Sequence, residues 1–255
     1  LHFSIMKEVI MKKLLFWIVL IVGTVALLGS CAKKDETTAT AAAACSSSLS
    51  TTASGTITGL KTTMGVDNVT GTYSMSWYGA TPTAGCIDNG TAVSTMIGYN
   101  AIPSDSVNFK MQHIVTSSTS FTSKVTYYSD NNSCATVSGY HATSYTNVTV
   151  GDNVTPASSS PYPNYGTKVS YKDTCFMAKG VTDTATAFIN AMSNVSGAVT
   201  GTELNKSGSG STYYNIMALN DNHSADSHDW FYMGDKSASG YPDYSSGDGG
   251  EVMFQ

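Results

Sequence analysis

The sequence predicts an all-β fold, a small antiparallel β-barrel carrying one helix. Three observations carry this expectation. From Thr70 to Val150 apolar and polar residues alternate with a period of two, the pattern of half-buried strands. The stretches that read as strands are short and separated by Ser, Thr, Asn and Gly. Helical periodicity occurs once, whereas a parallel sheet needs repeated crossover helices. A closed barrel also leaves no exposed edge, which ranks it above the alternative, a β-sandwich.

The elements follow in order. GTYSMSWYG, Gly71 to Gly79, puts Tyr73, Met75 and Trp77 on one side. Phe109, Met111, His113 and Val115 alternate with Asn108, Lys110, Gln112 and Ile114. After a break at Thr116 to Ser120, Phe121, Val125 and Tyr127 alternate with Thr122, Lys124 and Thr126. The two runs make a hairpin whose inner face carries Phe109, Met111, Phe121, Val125 and Tyr127. Gly139 to Val150 and Gly166 to Asp173 are further strands, the second with Val169 and Tyr171 facing one way. Thr182-Asp183 caps a helix over Thr184 to Val195, with Ala185, Phe188, Ile189, Met192 and Val195 on a narrow stripe and Asn194 and Gly197 ending it. Such a stripe suits one end or edge of the sheet. Strands at Ser211 to Leu219 and Asp229 to Gly234 flank the loop NDNHSADSH, and Asp235 to Gln255 reads as a Gly/Ser/Asp loop ending in Val252-Met253-Phe254.

The N-terminal region reads as an address. MKKLLFWIVLIVGTVALLGSC, Met11 to Cys31, has a basic start, an apolar run and small residues before a cysteine. Leu1 to Ile10 precede that start, and Met6 is the other candidate for it. The segment resembles a bacterial lipoprotein signal with its lipobox. The resemblance implies cleavage before Cys31 and lipid on its sulfur and new amino group. Ala32, where an aspartate would retain the protein at the inner membrane, favours the outer membrane. Residues 1–30 are thus expected as leader and signal peptide, 31–55 as the lipidated cysteine and a flexible tether, and 56–255 as the barrel domain. The tether, Ala32 to Gly55, has Leu49 as its one large apolar residue, too little to offset chain entropy.

Composition narrows the function classes. From Cys31 onward ten lysines stand against seventeen acidic residues, a balance of −7, and arginine is absent from the whole chain. Nucleic-acid binding relies on basic patches and arginine forks, so it is not expected. Setting Cys31 aside leaves Cys45, Cys86, Cys134 and Cys175, an even number suited to an exported protein. None forms a CxxC pair. Three connectivities are open; Cys86–Cys134 inside the folded part is favoured, and Cys45 either clips the tether to Cys175 or both stay free.

The order GTY…W…C (Gly71 to Cys86), the alternating hairpin, YYSDNNSC (Tyr127 to Cys134), Cys175, then YYNIMAL…WFYMGD (Tyr213 to Asp235) resembles lipocalin-like bacterial envelope lipoproteins. YYSDNNSC is more remotely similar to the extracellular β-barrel domain of a membrane-tethered Wnt inhibitor of animals. The loop Asn220 to His228 is longer than the family's tight turn, and no ligand residue carries over. The resemblance implies a cup for a small apolar molecule. Tyr73, Met75, Trp77, Phe109, Met111, Phe121 and Tyr127 are the candidate lining, although aromatics in such number equally make a filled core.

Other chemistry is sparse. His223, Asp226 and His228 can ligate a transition metal only if their loop curls around it, and Asp, Asn and Ser are ordinary turn residues. Asp235, Asp243, Asp248 and Glu251 lie among glycines, but without the spacing of a calcium loop. His113 reads as a core histidine, and His141 is open to pocket or solvent. No nucleophile elbow, zinc-protease helix or phosphate loop is present, so neither enzymatic activity nor a cofactor is expected. The functional expectation is a non-catalytic, lipid-anchored cell-envelope protein that binds a small apolar ligand or lipid. A surface adhesion or structural module is the alternative, and metal binding the third reading.

Overall fold

The computed structural model describes residues 45, 49–62, 65–75, 85–130, 134–155, 164–220, 230–234, 236–242 and 251–254. Eleven strands and two helices occur among them: β1 (Thr56–Lys61), β2 (Val66–Thr70), β3 (Thr72–Met75), α1 (Gly90–Gly98), β4 (Asn108–Ser117), β5 (Ser120–Tyr128), β6 (Val137–Val154), β7 (Gly166–Gly180), α2 (Asp183–Ala191), β8 (Leu204–Ser207), β9 (Thr212–Asn220), β10 (Trp230–Met233) and β11 (Glu251–Phe254). Antiparallel pairing runs β3–β4–β5–β6–β7–β9–β10–β11 and returns to β3 through Met253↔Met75 and Phe254↔Ser74. The expected small antiparallel barrel is what forms. β7 is long enough to serve two neighbours: Thr167–Lys172 pairs with β9, and Cys175–Ala178 pairs with β8.

Both ends of the barrel are closed by chain. At one end the hairpin β1–β2 lowers Ile57, Leu60 and Val69 onto Tyr73, Val115, Phe121, Tyr145, Val169, Met217 and Phe231. The Lys61 amide donates to Thr167 Oγ1 at 2.8 Å and pins the hairpin to β7. At the other end α1 and α2 pack Ala92, Val93, Ala185, Phe188 and Ile189 against Phe109, Tyr127 and Ala178. Helix α2 approaches this closely because Gly139 and Gly180 face each other beneath it. A Cβ at Gly180 would lie 2.6 Å from Thr186 Cα, so no side chain fits there.

Several elements depart from expectation for identifiable reasons. Instead of one helix there are two; α1, GTAVSTMIG, is rich in β-branched residues and bounded by glycines, which hides it from propensity. It is held by Asn89, whose Oδ1 accepts from the amides of Thr91 and Ala92 at 2.9 and 3.3 Å. Helix α2 starts at its Thr182 cap as expected but stops at Ala191 rather than Val195, because Met192 is extended and Asn194 takes φ 62°. The tail expected as loop contains β11, a strand too short to show a period, yet it lies between β3 and β10 in the ring. The folded part also begins earlier than Thr56. Leu49 is buried against Ala142, Cys175 and Met177, Thr122 Oγ1 donates to Ser50 O at 3.0 Å, and Ser54 N donates to Val115 O. Residues 45 and 49–55 therefore form a strap on the outside of the barrel, not free tether.

Candidate functional site

Strand register defines the barrel interior. Side chains alternate in and out along each strand, and paired residues share a face. Four inward rungs follow from the pairing of β4, β5, β6 and β7. The first, Phe109, Tyr127, Gly139 and Gly180, is buried under α2. The last, Val115, Phe121 and Tyr145, is buried under the β1–β2 plug. Between them lie Met111–Val125–His141–Ala178 and His113–Ser123–Thr143–Phe176. Met111, Val125, His141, Ser123, Thr143 and Phe176 point inward and yet are only half-buried. Inside the barrel the apolar residues form two main clusters, which share Met75 and Met111 as half-buried neighbours. The six half-buried side chains form the waist of the barrel, between the two capped cores.

Polar groups are placed around this waist with defined partners. His141 Nδ1 is hydrogen-bonded to the Tyr127 hydroxyl. Burial pushes the His141 imidazole down to about 4 and the Tyr127 phenol well up, so both are neutral near neutral pH. A neutral imidazole donates at one ring nitrogen and accepts at the other, so His141 can meet the Tyr127 hydroxyl in either tautomer. His113, buried as expected, pairs its Nδ1 with Ser123 Oγ at 2.6 Å. On the opposite wall Asn215 is fully buried; its Nδ2 donates to Tyr171 Oη at 3.2 Å and its Oδ1 has no partner. Lys236 donates to Tyr145 Oη at 3.0 Å.

The predicted lining divides cleanly. Tyr73, Phe109, Phe121 and Tyr127 are core, each 5 % exposed or less, and offer a ligand no room. Met75 and Met111 do face the waist. An apolar void of about 20 Å³ bounded by Ile57, Leu60, Tyr73, Phe121 and Phe231 lies inside the plugged core and is the size of a single water. Sequence reasoning missed Phe176, Ser123, Thr143, Tyr213 and Lys236 and left His141 undecided. The clue was available in part: pairing Val125 with His141 follows once β5 and β6 are set in register.

The cysteines come together as Cys86–Cys134, with Cα atoms 5.9 Å apart, and Cys45–Cys175, 5.5 Å apart. The first closes the corner YYSDNNSC, where Cys134 takes φ 65° and the Asp130 carbonyl accepts from Asn108 Nδ2. The second fixes the outer strap to β7. Cys31, Trp77, His223, Asp226, His228, Asp235, Asp243 and Asp248 lie outside the described residues. Among the described residues no group of His, Cys, Asp and Glu could hold a metal ion, and no helix is long and apolar enough to cross a membrane. The chain matches no protein-family model, and no curated protein matches it.

Proposed function

We propose that this is a non-catalytic, lipid-anchored protein of the cell envelope whose barrel binds a small apolar or amphiphilic molecule at its waist. One observation carries the binding reading: on two inward rungs Met111, Ser123, Val125, His141, Thr143 and Phe176 stay partly exposed, with His113 and Ala178 buried among them, while the rungs on either side are sealed. A barrel meant only as a scaffold gains by filling its centre, since each unfilled methyl-sized space costs about 1 kcal/mol. The lining mixes apolar surface with a few placed polar groups, the usual composition of a ligand pocket. Two cysteine pairs suit an oxidising compartment. The signal-like segment ending at Cys31 supports the lipid anchor, and Ala32 supports the outer membrane.

Native mass spectrometry of the full chain, released from membranes in mild detergent, tests the binding reading. A recurrent non-protein mass of a few hundred daltons, lost on Val125→Trp, is expected. Bare protein in every preparation, with no apolar probe retained, would overturn it. For the anchor, Cys31→Ala should abolish labelling by radioactive palmitate and release the protein from the membrane fraction. Unchanged labelling and fractionation would remove the lipoprotein reading.

A further inference from the structure

We infer that the ligand of the waist is an amphiphile with an anionic head group, the head held by Lys236 and the apolar part lying along Met75, Met111, Val125 and Phe176. This rests on the binding reading above and adds the charge of the ligand.

Lys236 reaches the lumen because of where the chain runs after β10. Gly234 N donates to Ile216 O, and Tyr214 and Ser237 exchange both backbone hydrogen bonds, so Gly234 and Ser237 lie alongside β9. The ammonium lies 3.0 Å from Tyr145 Oη and 5.4 and 5.1 Å from the ring centroids of Tyr145 and Tyr213. Both tyrosines are inward residues: Tyr145 pairs with Phe121, and Tyr213 pairs with buried Tyr171. The other lysines that sit on rings among the described residues, Lys110, Lys124 and Lys168, use Tyr128, Tyr140 and Tyr241 instead. Tyr128 and Tyr140 stand on the outer face of β5 and β6, in register with Asn108 and Thr126. Lys236 is the lysine aimed at the inner rings.

Among the described residues the ammonium has one hydrogen-bond acceptor. An ammonium has three donors, and here one goes to Tyr145 while the residue stays exposed to solvent. Its contacts among the described residues include no carboxylate. In a chain of net charge −5 without arginine, a solvent-exposed cation seated on two inward-facing tyrosine rings is complementary to an anion. Carboxylate and phosphate heads share this chemistry, and a carboxylate is the simplest probe.

Three probes of equal tail length test the inference on the full chain below their micellar concentrations: dodecanoate, dodecanol and dodecyltrimethylammonium. Dodecanoate is expected to bind roughly tenfold tighter than dodecanol, the ratio one charge-assisted hydrogen bond supplies, and the cation most weakly. Lys236→Met should cost dodecanoate about that tenfold and leave dodecanol within about twofold, while Lys236→Arg keeps the preference. Equal binding of dodecanoate and dodecanol, unaltered by Lys236→Met, would overturn the head-group assignment and leave the binding reading standing. Failure of all three probes to bind, with Val125→Trp no different from the parent, would overturn both.

Discussion

The rung Val115–Phe121–Tyr145 and the rung Met111–Val125–His141 are built on the same three strands, on the same inward face, and differ in what covers them. The first lies under the β1–β2 plug, and Phe121 stacks on Tyr145 at 4.9 Å and meets Tyr171 edge-on at 5.0 Å. The second lies below the plug, with Ala178 buried under the helices and Met111 and Val125 packed at the edge of that cluster, still partly exposed. Strand pairing therefore fixes which residues face inward, whereas the capping elements decide which of them are core. Stability should concentrate at the ends of the barrel and ligand response at the waist.

The largest expected effect lies at the plugged end. Phe121→Ala removes a ring that is 5 % exposed and packed against two tyrosines, and should destabilise the fold by about 3–5 kcal/mol in urea unfolding. A loss below about 1 kcal/mol would mean that the plugged end is no better packed than the waist.

Next come the disulfides. Cys86→Ser with Cys134→Ser opens a loop spanning 48 residues at the helical end and should cost about 2–5 kcal/mol. Cys45→Ser with Cys175→Ser should act in the same range while freeing the outer strap, so that proteolysis begins between residues 45 and 55. Cleavage elsewhere first would show that Leu49 and the hydrogen bonds of Ser50 and Ser54 hold the strap unaided.

How much of this was legible in the sequence follows from the same contrast. The β4–β5 hairpin and its inward face were legible, because Phe109, Met111, Val115, Phe121, Val125 and Tyr127 recur at even spacing, but the turn is tighter than the expected break at Thr116 to Ser120, since the strands extend to Ser117 and from Ser120. The plug was not: Ile57, Leu60 and Val69 stand in a Thr/Gly-rich stretch whose apolar residues gain meaning only against the barrel mouth. Tyr73 and Met111 look alike as strand aromatics or apolars, and only the tertiary caps separate a core residue from a lumen residue. Lys236 had no local signal, since its inward aim depends on the pairing of Ser237 with Tyr214, far along the chain from Tyr145.

A smaller effect depends on pH. Burial holds His141 near 4 in the folded state against about 6.5 unfolded, so the unfolded chain takes up the proton first. The contribution of neutral His141 is complete above about pH 6.5 and is lost as pH falls toward about 4, with a slope of at most about 1.4 kcal/mol per pH unit. His141→Gln, which keeps an acceptor for Tyr127 and cannot be charged, should therefore gain on the parent as pH drops from 7 to 4.5. A difference between the two proteins that does not change with pH would remove His141 as the source.

The smallest change in stability should come from Val125→Ala, two rung positions from Phe121 on the same strand. Val125 is half-buried at the edge of the helix-side cluster rather than within it, so truncation removes less packing than at Phe121. The expected cost is about 1 kcal/mol or less in urea unfolding. Binding responds differently, because an apolar tail held along Val125 loses contact area when two methyl groups go, about 0.8 kcal/mol for each group no longer buried. Val125→Ala should thus weaken retention of an apolar probe by up to about tenfold while scarcely moving the unfolding midpoint. A large loss of stability with unchanged binding would reverse the assignment of the two rungs, making Val125 core and placing the open surface elsewhere.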